Sequence, residues 1–301
     1  MNKTTIESRP VHAPVAIALA ITILLTSREA LANGRDYIYM NGRVIAIDTN
    51  IVTAPLASRI GVFRDSDSKW YVDYDGDRTW EGPNIDRNYL FQGSDYEYEP
   101  VVGDWNGDGT LDIGKFRNGD WLFDMNDNHE WDWPNGADRI FYFGVAGNIP
   151  VVGDWSGSGR LNIGVYFDGY WYVDYNGNNV WDGVFVDRIY AFGGPGDKPI
   201  VGRFGTGRIG IFRGNGQWYV DSTGNNEWTP GGDSIYQYGQ TNDIPVVGDW
   251  GGNGVLRIGV YRPDPNAIWH FDMNNDRVLN SNDAFNYFGF GTDKPIVGNW
   301  N

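Results

Sequence analysis

The chain of 301 residues has no cysteine and only 3 histidines. Disulfide staples, thiolate nucleophiles and cysteine-based zinc sites are therefore excluded. His12, His129 and His270 are far apart in sequence, and no two stand at zinc-ligand spacing. Basic residues are also scarce, 23 Lys and Arg against 39 Asp and Glu, for a net charge of −16. Such a balance disfavours nucleic acid and anionic membrane surfaces as partners and suits divalent cations. No phosphate-binding glycine loop, dinucleotide fingerprint or G-x-S-x-G elbow occurs. The one long apolar run is "APVAIALAITILL" at 13–25.

That run follows Lys3 and Arg9 and precedes Ala30-Leu31-Ala32, a small-x-small cleavage pattern. Residues 1–32 are expected to be a cleaved signal peptide, which makes the protein secreted or cell-surface with no membrane span afterwards. An exported chain without disulfides must draw its stability from core, closure or metal.

What is abundant is glycine, 42 residues, and aromatics, 16% of the chain with 14 tryptophans. Short strands joined by tight turns have this composition. Self-comparison then organises the sequence. "PVVGDW" at 100–105 recurs at 150–155, as "PIVGRF" at 199–204, "PVVGDW" at 245–250 and "PIVGNW" at 295–300, at spacings of 50, 49, 46 and 50 residues. Three further strings recur with it, typified by "IGVFR" (60–64), "WYVDY" (70–74) and "IYAFG" (189–193). Each is β-branched or aromatic and bounded by Gly, Asn, Asp or Pro, hence a strand. Four strands in about 50 residues is the period of a propeller blade. The expected fold is an all-β, five-bladed β-propeller of four-stranded antiparallel blades over 59–301. The last PIVGNW has no following strand set, and the first set, from Arg59, has no PVVGDW before it. The C-terminal strand is therefore expected to complete blade 1 and close the ring. The glycine of each IGV string is expected where neighbouring sheets come close. Residues 33–58 lie outside the array. Within them "YIYMNGRVIAI" (37–47) predicts a hairpin about Asn41-Gly42, a route to self-assembly if its strands add to a neighbour. It resembles the closing segment of YD-repeat secreted proteins.

Each unit has two polar loops. The first follows GDW. Only the copy at 104–112 keeps a run of oxygen ligands, Asp104, Asn106, Asp108 and Asp112; later copies keep the glycines and lose most of the acids. It reads as a backbone turn throughout, and as a metal loop once. The second loop follows WYVD. Its acids persist as Asp73, Asp75, Asp77 and Glu81; Asp124, Asn126, Asn128 and Asp132; Asp174, Asn176, Asn178 and Asp182; and, more weakly, Asp272, Asn274 and Asp276. Alternate oxygens at positions 1, 3 and 5 with a carboxylate at 9 can converge on Ca2+, a hard cation taking six to eight oxygens. The last acid sits at 9 between strands, so this is no EF-hand. The alternative is an Asx-rich hairpin turn. Asp73→Ala is expected to lower the melting temperature in calcium and to do little in chelator.

"GDWNGDGTLDIG" with "DYNGNNVWD" resembles the FG-GAP/VCBS-type repeats of secreted and surface propellers, whose calcium loop D-x-[DN]-x-D-G-x-x-D is matched by Asp104, Asn106, Asp108 and Asp112. The resemblance covers about 59–301. Departures are the eroded first loops of units three to five and the second acidic loop. It implies adhesion or ligand binding and identifies no ligand. The reading is a non-enzymatic calcium-binding module for an extracellular glycan or protein. A structural subunit of an extracellular assembly and a glycoside-active enzyme working through paired carboxylates are the alternatives. Thirteen of the 14 tryptophans lie at recurring positions, expected to pack between blades; any repeated carbohydrate pockets would lie there too.

Overall fold

The computed structural model describes residues 57–91, 97–204, 207–263 and 266–298, with the backbones of strands Ala30–Leu31, Arg35–Met40 and Arg43–Asp48. The chain divides into two compact units, Met1–Thr53 and Ala54–Asn301. In the smaller unit Arg35–Met40 pairs antiparallel with Arg43–Asp48, as the Asn-Gly pattern predicts, with a register shift between Ile38 and Tyr39. The two-residue strand Ala30–Leu31 pairs with Arg35 and Asp36. The rest of the expected signal peptide, and the Asn41-Gly42 turn itself, lie outside the described residues.

The larger unit is five antiparallel four-stranded sheets, and the described residues contain no helix. Blade 1 is Lys294–Gly298, Arg59–Arg64, Lys69–Val72 and Arg87–Tyr89. Blade 2 is Glu99–Gly103, Asp112–Arg117, Asp120–Phe123 and Arg139–Tyr142. Blade 3 is Ile149–Gly153, Asn162–Phe167, Tyr170–Val173 and Arg188–Ala191. Blade 4 is Lys198–Phe204, Gly207–Phe212, Gln217–Val220 and Ser234–Gln237. Blade 5 is Ile244–Gly248, Arg257–Arg262, Ile268–Phe271 and Ala284–Tyr287.

Ring closure occurs as the displaced repeat requires. Lys294 pairs with Phe63, Ile296 with Gly61 and Gly298 with Arg59. Each first strand meets the first strands of both neighbouring blades, blade 1 included. The Pro-Val-Val and Pro-Ile-Val triplets of all five first strands line one axial channel of about 290 Å³. Closure covers the inner edge of Arg59–Arg64, which would otherwise stand unpaired.

Burial follows strand rank. Second strands are buried along nearly their whole length, because a blade covers each face; third strands alternate. One apolar core fills each interface. Between blades 2 and 3, for example, Trp121, Phe123 and Phe143 pack with Ile163 and Val165. Trp70, Trp121, Trp171, Trp218 and Trp269 are fully buried. The last four each donate an indole N–H to a carbonyl just past the fourth strand, at 2.7–3.0 Å. That bond removes the cost of burying the polar edge of the ring.

The recurring glycine of the second strand answers a different contact from the one expected. A Cβ at Gly164 would lie 2.9 Å from the Tyr172 carbonyl oxygen and 3.2 Å from Val151, both in its own blade. Gly61, Gly114, Gly210 and Gly259 repeat this geometry. The close approach is between strands of one sheet, not between sheets.

Candidate metal and ligand sites

Where a hairpin loop opens on an aspartate, that residue organises the turn. In first loops, Asp104 accepts from the amides of Gly107 and Gly109 at 2.6 and 3.0 Å. Asp154 accepts from Ser158 and Gly159, and Asp249 from Asn253 and Gly254. In second loops, Asp73 accepts from Gly76 and Arg78, Asp124 from Asn126 and His129, Asp174 from Gly177 and Asn179, Asp221 from Gly224 and Asn226, and Asp272 from Asp276 and Arg277. The pattern persists where the other acids are lost, so its first duty is to the backbone. A second aspartate clamps the far end of the loop: Asp86 accepts from Tyr74 and Glu81, Asp138 from Met125 and Asp132, and Asp187 from Tyr175 and Asp182. Burial pushes Asp73 and Asp124 up to about 6, against the pull of these amides.

This geometry changes what Asp73→Ala reports. Its loss strands two amides whether or not a cation is present, so the melting temperature is expected to fall in calcium and in chelator alike.

The sequence-derived metal residues separate into groups. Asp75, Asp77 and Glu81 of blade 1 bring carboxylate oxygens within 4.8 Å of one another, and Asp73, Asp75 and Asp86 form an adjoining group. In blade 5, Asp272 and Asp276 are joined by Asp283. In blade 2, Asp108 and Asp112 are joined by Asp127 of the second loop, whereas Asp104 is outside the group. All are hard oxygen donors, the set that suits calcium. Among the described residues, loop 174–182 enters no such group, and loop 124–132 contributes only Asp127 and none of its expected ligands. Both loops close on themselves instead. Asn126 donates to Asp132 at 3.0 Å, and Asn176 and Asn178 both donate to Asp182, at 3.0 and 2.6 Å. Asn274 likewise donates to Asp276.

Asp127, Asp86 and Asp283 were outside the sequence-derived set. For Asp127 a signal existed: the same column holds Gly76, Gly177, Gly224 and Asn275, and an acid among glycines stands out. Its φ is +58°, where L-residues are uncommon. Of the histidines, His129 stacks on Tyr89 of blade 1 at 3.9 Å, and His270 lies in a third strand, 3.2 Å from Arg262.

Grooves between blades form a second kind of site. In each, the end of a fourth strand faces the second and third strands of the next blade. Trp80, Trp131, Trp181 and Trp228 set their rings edge-on to Phe288, Phe91, Phe143 and Phe192 of the preceding blade. In three grooves an arginine closes on an aspartate. Arg64 binds Asp293 by two bonds of 2.9 Å, with its guanidinium 4.2 Å from Tyr71 and from Phe290. Arg213–Asp197 and Arg262–Asp243 repeat the pair at 3.0 and 2.8 Å. Between blades 2 and 3 the same positions hold Phe167 and Asn148. Asn148 still accepts the Val145 amide, as Asp293 accepts that of Phe290, so the turn survives and the ion pair is gone. This groove measures about 630 Å³ against about 370 Å³ for the one under Arg64. Tyr142, Val145, Phe167, Tyr172, Trp181 and Ile189 line it.

Fold and sites together define a five-bladed β-propeller built from one repeat with two Asx-rich hairpins. No family model matches the chain, and no curated protein does. Among solved structures it is similar to a crystal structure of BBS1N in complex with ARL6DN, soaked with lead, at 11% identity, over 84% of this chain and 75% of that one, with a TM-score of 0.34. So loose an overlap transfers nothing about ligands.

Proposed function

We propose that this protein is an exported, non-enzymatic binding module of FG-GAP/VCBS-like repeats, with calcium in its acidic hairpins and its ligand in the groove between blades 2 and 3. The observation that carries the ligand assignment is that this groove lacks the arginine–aspartate closure found between blades 3 and 4, 4 and 5, and 5 and 1. A largely apolar, aromatic concavity of this size with few polar groups is the usual form of a ligand site. Its rings suit the apolar side chains of a protein segment or the face of a sugar. Calcium here fixes hairpin geometry and neutralises clustered carboxylates; the binding chemistry belongs to the aromatic rings.

The test rebuilds the closure. Phe167→Arg with Asn148→Asp should pair as Arg213 and Asp197 do, leaving the fold intact and abolishing capture on a glycan array and a matrix-protein panel. Undiminished capture by that variant contradicts the groove assignment. The separate hairpin unit of Arg35–Met40 and Arg43–Asp48 supports a second reading, a subunit joined to its copies through 33–58. Calcium-dependent polymers of the full chain, lost on deleting 33–58, would favour it.

A further inference from the structure

We propose that Asp108, Asp112 and Asp127 form a divalent-cation site that bridges the two hairpin loops of blade 2. It deepens the calcium reading given above, on which it rests for the choice of ion. The set differs from the single-loop site expected from sequence, because Asp104 is occupied by two amides and the third carboxylate comes from the other hairpin.

Two independent observations point to a ligand. The first is an orphaned oxygen. Asp112 is 3% exposed, its Oδ2 accepts the Trp105 amide at 2.9 Å, and its Oδ1 is buried with no hydrogen-bond partner. That oxygen belongs to a group whose acceptor atoms lie within 4.8 Å of one another. A buried, unpartnered carboxylate oxygen facing two more carboxylates is costly unless a cation or a shared proton joins them, and the ion count below distinguishes the two. One amide group serves the cluster: Asn106 Nδ2 is 3.2 Å from Asp127 and 3.4 Å from Asp108. Among the described residues no lysine, arginine or histidine forms an ion pair with any of the three.

The second observation is how the other blades treat this place. The position of Asp112 holds Arg59 in blade 1, Arg208 in blade 4 and Arg257 in blade 5. Arg257 pairs with Asp249 of its own blade's first loop at 3.6 Å, and Arg208 with Asp154 of the preceding blade's first loop at 2.8 Å. Each therefore brings a covalently fixed positive charge to an acidic first loop. Blade 3 has neutral Asn162 there, and its Gly177 comes so close that an added Cβ would lie 2.8 Å from Asn162 Oδ1. Blade 2 departs twice at once, with a carboxylate for the guanidinium and Asp127 for the glycine. Two added acids where sister blades carry a cation form a consistent pair if a diffusible cation replaces the arginine.

The test uses the full chain, calcium titrated by calorimetry, and melting in calcium and in chelator. Asp127→Gly, the residue of three sister blades, should lower the bound stoichiometry by one ion, or weaken one site at least about tenfold, since affinity follows carboxylate count. Asp112→Arg with Asp127→Asn imports the blade 5 arrangement, in which Arg257 pairs with Asp249, the counterpart of Asp104. It should lose the same ion and melt in chelator at or above the wild-type temperature, which shows that the fold survives. An unchanged stoichiometry and affinity in Asp127→Gly overturns the bridging site while leaving calcium elsewhere. A wild-type protein that takes up no calcium overturns the broader reading as well.

Discussion

Blades 2 and 4 share a fold and differ in where their charge is kept. Both bury a central tryptophan, Trp121 or Trp218, whose indole donates to the end of the fourth strand at 2.8 or 2.7 Å. Blade 4 carries Arg208, Ile211 and Gly224 where blade 2 carries Asp112, Lys115 and Asp127. Blade 4 is electrostatically complete, its arginine reaching back to Asp154 of blade 3. Blade 2 holds three convergent carboxylates and a buried lysine, and in our proposal a cation from outside completes it. Repetition fixes the scaffold, and the departures from it are where we propose that something else binds.

The comparison can be pressed hardest at what should be equal. Trp121→Ala and Trp218→Ala should each cost about 3–5 kcal/mol in urea denaturation, since both rings are fully buried in an interface core. A large inequality would mean that the blades are not equivalent in their packing.

Lys115 is the next sharpest difference. It lies fully buried, 4.8 Å from the Phe63 ring, and burial pushes it down to about 8. The unfolded chain keeps that proton up to its ordinary value near 10.5. Charge on Lys115 therefore costs stability in full below about pH 8, and the cost is relieved as pH rises towards 10.5. Stability of wild type relative to Lys115→Val should climb by about 3 kcal/mol from pH 7 to 10.5. A flat difference across that range would show that the amine is not held in a desolvated site.

Turn aspartates come third. Asp124→Ala and Asp221→Ala should each lose about 2 kcal/mol, equally in calcium and chelator, because each carboxylate serves backbone amides. A loss confined to calcium at Asp124 would instead place an ion there. The smallest effect belongs to Arg213→Met: its partner Asp197 is buried but the arginine is 43% exposed, so under about 1 kcal/mol is expected.

Much of this architecture was legible in the sequence. Strand order, blade number and closure all follow from one repeat displaced by one strand, as the pairing of Lys294–Gly298 with Arg59–Arg64 bears out. The sites were less legible, because a linear pattern shows ligands along one loop and hides those contributed by another. Asp112 stood in the expected series, while Asp127 is 15 residues on and joins it only through the antiparallel pairing of the second and third strands. The open groove depends likewise on Asn148 and Phe167, 19 residues apart in sequence and adjacent only because Ile149 pairs with Tyr166. The asparagines of loop 174–182 fit a calcium series by spacing, yet their amide nitrogens face Asp182, an orientation that spacing does not encode.

Anomalous diffraction from crystals grown with calcium or a lanthanide tests the central claim most directly. The expected result is a peak between the two hairpins of blade 2, within coordination distance of Asp108, Asp112 and Asp127. A peak confined to the Asp104–Asn106 side of the first loop, or none in blade 2, would contradict it.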